Sequence, residues 1–61
     1  MITEVFKNGK TIGFVVSKDR LECVKMVADA FPQVDKIATV HSLPKHDERC
    51  KEISKNIYAW A

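Results

Sequence analysis

The side chains of this chain best able to do chemistry are few: Cys23, His41, His46, Asp47 and Cys50. His46 and Cys50 lie four residues apart, so on a helix they would share a face. That spacing could bring imidazole to thiol, as a base-activated nucleophile requires, or offer two ligands to a metal. Neither arrangement is completed by its surroundings. The chain has no Cys-x-x-Cys, no zinc-finger spacing, no Gly-rich phosphate loop, no nucleophile elbow and no HExxH pattern. Asp47-Glu48, the one tight acidic pair, would splay its carboxylates to different sides of a helix start and complement the helix dipole there. The expectation is a non-enzyme with no catalytic residue, no metal and no cofactor. Cys23 and Cys50 could form one bridge at most, and read as reduced, small apolar residues of a cytoplasmic protein.

At 61 residues the chain has room for one small domain, residues 1–61. Hydrophobic residues make up 46% and charged residues 30%, a balance that suits a folded globular chain and excludes a disordered one. No apolar run approaches the roughly 20 residues that span a bilayer. The start, Met1-Ile2-Thr3-Glu4, lacks the basic and apolar regions of a signal peptide, so no membrane partner is expected. A domain this small buries only about 60% of the surface its unfolded chain exposes. A deep catalytic pocket is hard to enclose on that scale.

Two β-rich runs, Ile2 to Lys7 and Lys10 to Ser17, flank Asn8-Gly9, the strongest short-range hairpin signal. A two-residue turn opposes Lys7 to Lys10. A three-residue turn pairs Phe6 with Lys10 instead, and gathers Ile2, Phe6, Ile12, Phe14 and Val16 on one face with Glu4. The second register is preferred, since it separates the lysines and concentrates the apolar residues. A helix is expected from about Lys18 to Ala30, with Ser17 or Asp19 as N-cap, Glu22 completing a capping box, and Pro32 forcing the stop. Its apolar face is read as Leu21, Val24, Val27, Ala28 and Phe31, widened by Cys23, Met26 and Ala30. Val34 to Leu43 reads as a third strand. From Pro44 to Trp60, apolar residues Cys50, Ile53, Ile57 and Trp60 recur at i, i+3, i+7 and i+10, which predicts a second, amphipathic helix. The expected fold class is α+β, a β-hairpin–helix–strand–helix (ββαβα) chain with a three-stranded sheet packed against two helices.

Such elements carry more apolar face than one small core needs. Phe6, Val15, Met26, Tyr58 and Trp60 are therefore the candidate protein-interface residues, the aromatic and Met side chains among them favoured interface anchors. The expected function is stoichiometric contact with another protein, as an inhibitor or regulator, or with a second copy as a homodimer. The size and the missing catalytic motifs suit the broad genre of small phage or mobile-element proteins that block a host enzyme, an analogy that no motif carries. The alternative is RNA or DNA binding by the hairpin tip, Lys7 and Lys10, with the basic residues of the C-terminal helix, Lys45, Arg49, Lys51 and Lys55. The net charge is only +2, and Asp47, Glu48 and Glu52 interleave with those cations, which weakens the alternative.

Overall fold

A computed structural model describes all residues 1–61. Its elements are β1 (Ile2–Lys7), β2 (Lys10–Val16), α1 (Arg20–Ala30), β3 (Lys36–Val40), β4 (Cys50–Ser54) and β5 (Ile57–Trp60). The strands form one antiparallel sheet in the order β3-β1-β2-β5-β4, with α1 on one face. This overturns the α+β expectation of three strands and two helices. The architecture is five antiparallel strands with a single eleven-residue helix.

The Asn8-Gly9 turn is the two-residue kind, and Lys7 does pair with Lys10. Asn8 and Gly9 both have positive φ, 53° and 75°, as a turn matched to the twist of the strands requires. The opposed lysines are tolerated because Lys7 Nζ turns away to donate to the Gln33 side chain while Lys10 stays in solvent. A bulge then corrects the phase. Phe6 pairs with Thr11 but Val5 pairs with Gly13, leaving Ile12 as the extra residue. Beyond the bulge, Ile2, Glu4, Phe6, Phe14 and Val16 share the face away from the helix, much as the three-residue turn would have sorted them. Glu4 is no intruder there, since its carboxylate accepts from the Thr11 hydroxyl.

Asp19 caps α1, its Oδ1 accepting the Glu22 amide at 2.9 Å, while Glu22 Oε1 accepts the Lys18 amide at 2.9 Å. At the other end the Phe31 amide donates to the Val27 carbonyl at 2.7 Å, and Pro32 follows. The core lies between α1 and the sheet: Val5, Val15, Cys23, Val27 and Phe31, with Ile12, Met26, Ala30, Val34, Ile37 and Ile57 packed around it. Cys23 Sγ reaches the buried Thr3 hydroxyl at 3.1 Å, so the polar atoms beneath the helix satisfy each other.

The expected C-terminal helix is a hairpin. Cys50 and Trp60, the two ends of the supposed helical stripe, are cross-strand partners. Residues 50–60 are rich in Cys, Ile, Ser, Asn, Tyr and Trp, indifferent helix formers that suit a pleated surface. As a hairpin they also cover the edge of β2, which a second helix would have left open. Lys55-Asn56 makes the turn, with Asn56 at φ 63°. Asn56→Gly is expected to be nearly neutral and Asn56→Ala to cost about 1 kcal/mol in urea unfolding, because alanine lacks the side chain that eases the left-handed conformation.

Strand β3 ends beside Ile2 at one corner of the sheet, and β4 begins beside Trp60 at the far corner. The nine residues between them must cross the sheet, and α1 already occupies one face. They cross the other, turning through bonds from the Asp47 amide to Pro44 O (3.1 Å) and from the Cys50 amide to Asp47 O (3.0 Å). Leu43 and Pro44 are half-buried there, and Phe14 is only 5% exposed although no helix covers it.

Candidate functional site

The rotation of α1 about its own axis decides which apolar residues are left outside. Gly13 has no side chain, and the Phe31 ring lies where a Cβ would be, with Cζ only 2.4 Å from that position. Phe31 thereby pins the C-terminal end of the helix over β2, and Cys23 pins the other end over Thr3. The line Cys23–Val27–Phe31 points into the core. At about 100° per residue, Leu21, Val24 and Ala28 then fall on a neighbouring strip, of which Val24 and Ala28 turn toward β3 while Leu21 lies farther round, among Lys18, Asp19, Glu22 and Lys25. Leu21 is 68% exposed and Val24 48%.

That strip borders an apolar groove. Val24, Val27 and Ala28 form one wall, Val34 and Ile37 the other, and the space between them is about 250 Å³. A smaller hollow continues along the same flank, lined by Met1, Thr3, Arg20, Cys23, Ile37, Ala38 and Thr39. Asp35 and Lys36 stand at one end of the flank and Arg20 at the other; the Asp35 carboxylate accepts the Asn8 amide at 2.6 Å. The floor is the outermost strand of the sheet, so the groove opens onto a strand edge with no neighbour.

The sequence-derived interface candidates are not gathered at this flank. Val15, expected at the surface, is 0% exposed and belongs to the core. Met26 is half-buried against that core. Phe6, Tyr58 and Trp60 are half-buried on the helix-free face of the sheet. Trp60 stacks edge-on to Phe14 (centroids 5.4 Å apart, planes at 63°) and carries the Arg49 guanidinium 4.4 Å above its ring. The residues that sequence reasoning placed in the core, Leu21 and Val24, are the ones left in solvent. The signal available was the surplus width of the helix's apolar arc; which part stays outside depends on the Phe31–Gly13 contact.

The basic residues are similarly divided. Lys45 and Arg49 lie on the crossing segment, Lys51 on β4, Lys55 at the β4–β5 turn, and Lys7 and Lys10 at the opposite hairpin's tip; there is no C-terminal helix to align them. Arg49 forms the one side-chain ion pair, donating to Asp47 at 2.7 and 3.0 Å. The side-chain bonds from Arg49, and the Arg49 amide, hold the Asp47 carboxyl down to about 2. A lowered carboxyl contributes stability that is present above its ordinary value of 3.8 and is lost as pH falls toward 2.

The thiols are free and lie on different faces of the sheet, Cys23 beneath the helix and Cys50 beside Trp60. Burial, and then the nearby Asp47 charge, push the Cys50 thiol above its ordinary value, which disfavours the nucleophilic thiolate at neutral pH. His46 and Cys50 share no helix, and no group of three or more His, Cys, Asp or Glu is placed to hold a metal ion. No helix is long and apolar enough to cross a membrane. No protein-family model matches the chain, and comparisons with curated proteins and with solved structures found no match. The strongest site feature is thus physical: an exposed apolar strip, an apolar groove and an open strand edge on one flank.

Proposed function

We propose that this chain works by stoichiometric contact with another protein, as an inhibitor or regulator and without catalysis of its own, and that the α1–β3 flank is the contact surface. The observation that carries the reading is the exposure of Val24 in the wall of a groove lined by apolar side chains, with exposed Leu21 extending the same helical strip outward. Scattered exposed apolar residues are ordinary, whereas a contiguous strip with a matching groove favours a binding site. Aliphatic side chains in the groove would offer an incoming segment contact without any need to satisfy buried polar atoms.

The test is affinity capture from the native cell with wild-type chain and with Leu21→Asp, read by mass spectrometry and by the 260/280 nm absorbance ratio. Burial of a leucine stabilises a complex by about 2 kcal/mol, so the variant should weaken capture of a stoichiometric protein at least about thirtyfold. Leu21 is exposed, so the fold should survive the change. Capture unchanged in Leu21→Asp, or salt-sensitive nucleic acid in place of protein, contradicts the reading.

A further inference from the structure

The connections between the elements are fastened very unequally. Residues 31–35, between α1 and β3, are tied to the first hairpin three times. The Asp35 amide donates to Phe6 O at 2.9 Å, the Asn8 amide to the Asp35 carboxylate at 2.6 Å, and Lys7 Nζ to the Gln33 side chain. Residues 17–19 are tied to the start of β1, where the Ser17 amide donates to Met1 O at 2.8 Å. Residues 41–49 cross a whole sheet face, yet their own turns take most of their hydrogen bonds: Lys45 amide to Leu43 O, Asp47 amide to Pro44 O, Cys50 amide to Asp47 O. One bond reaches a distant part of the chain, from the Ala61 amide to Arg49 O at 2.8 Å, and it lies at the very end of the segment.

We propose that residues 41–49 are a strap that opens as a unit while the five-stranded sheet stays folded, and that Arg49, laid on Trp60, is the latch that holds it shut. Little else fastens it. His41, Ser42, Lys45, His46, Glu48 and Arg49 are exposed, and only Leu43, Pro44 and Asp47 are half-buried. A segment with few buried apolar side chains and few bonds to its surroundings sits at the low end of local stability, because ordering it is opposed by chain entropy. The latch is built at one end. Asp47 accepts from Arg49 Nε at 3.0 Å, from a terminal guanidinium nitrogen at 2.7 Å and from the Arg49 amide at 2.9 Å, which fixes the fork in one orientation. The guanidinium so held lies 4.4 Å from the centre of the indole ring.

The sheet does not need the strap. None of the residues paired between strands lies within 41–49, and the core beneath α1 is on the opposite face. Opening therefore gives up the strap's own contacts and leaves the strand ladder whole. What it uncovers is apolar: Phe14, 5% exposed when the strap is closed, with Tyr58 and Trp60 on the same face. The device concerns the face away from α1, so it goes beyond the contact reading of the α1–β3 flank and does not depend on it.

The experiment is limited proteolysis of the full chain with a lysine-specific protease, read by mass spectrometry at low urea concentrations. Lys45 is the one lysine of the strap and directly follows Leu43-Pro44. A protease must extend the chain around the bond it cuts, so cleavage there requires Leu43 and Pro44 to leave the sheet. The first cut is expected after Lys45, giving residues 1–45 and 46–61, at a rate that low urea barely changes. Lys36 and Lys51, paired within strands, should be cut only through global unfolding, with the full urea slope. Arg49→Ala should speed the Lys45 cut about fivefold, and Trp60→Phe by a smaller factor, because each weakens the latch. Arg49 is exposed, so its loss leaves the fold, checked by circular dichroism, in place. A Lys45 cut that shares the urea slope of the strand lysines overturns the strap, as does a first cut at any other lysine. A Lys45 rate that neither Arg49→Ala nor Trp60→Phe changes overturns the latch.

Discussion

Gly13→Ala is expected to cost about 3 kcal/mol in urea unfolding, the upper end of what overpacking a core does. The added Cβ would stand 2.4 and 2.7 Å from two atoms of the Phe31 ring and 2.5 Å from the Tyr58 carbonyl oxygen. The ring could yield only by lifting the end of α1, and the carbonyl only by opening the β2–β5 pairing. Both neighbours are structural, so no inexpensive relaxation exists. Small domains have about 5–15 kcal/mol in all, and one of this size sits at the low end. The variant should unfold at a clearly lower urea midpoint; a midpoint unchanged from wild type would mean that Phe31 does not rest on β2, and the rotation assigned to α1 would fall with it.

Trp60→Ala is expected to cost roughly 3 kcal/mol, measured by far-ultraviolet circular dichroism because the only tryptophan is removed. The indole packs edge-on against Phe14, receives Arg49 on its face and pairs across the hairpin with Cys50. Its loss uncovers Phe14 and frees the end of the segment that crosses the sheet. Trp60→Phe should recover part of the loss, since a smaller ring keeps the edge-on contact but offers less face to the guanidinium. Trp60→Ala matching wild type would place Trp60 outside the packing and contradict the β4–β5 hairpin as described.

The first half of the chain was largely legible. Asn8-Gly9 announced its turn, and Asp19 with Glu22 and the Phe31-Pro32 stop bounded the helix within two residues of its observed ends. The hairpin register was misjudged for a reason with physical content. Turn length and face sorting were treated as one choice, whereas the Ile12 bulge separates them, keeping the two-residue turn and still placing Phe14 and Val16 with Ile2 and Phe6. The C-terminal half misled more deeply. Apolar residues at i, i+3, i+7 and i+10 fit a helix stripe, yet the same residues fit a hairpin in which Cys50 meets Trp60. The β2 edge, which only the assembled sheet presents, decides between them. The helix-dipole role expected of Asp47 vanishes with the helix, and Asp47 turns to Arg49 two residues on.

The candidate site was legible only as an excess. Too many apolar residues on one short helix implied an exposed patch, and its members could not be named without the contact of Phe31 on Gly13. Tyr58 and Trp60 looked like surface anchors because a three-stranded sheet with two helices carried more apolar face than one core needs; in a strand they line the face that residues 41–49 cross. Leu21 and Val24 looked like core because helical periodicity ranks residues by apolarity alone.

The central claim is that the α1–β3 flank, and not the β4 edge, meets protein. Leu21 and Ile53 allow a matched comparison, being 68% and 58% exposed on the two flanks. A photo-crosslinking amino acid is placed at one position or the other, and the chain is irradiated in its native cell. The account predicts a covalent adduct with a second polypeptide, a partner or another copy of this chain, from position 21 and none from position 53. Adducts from position 53 with none from position 21 would contradict it.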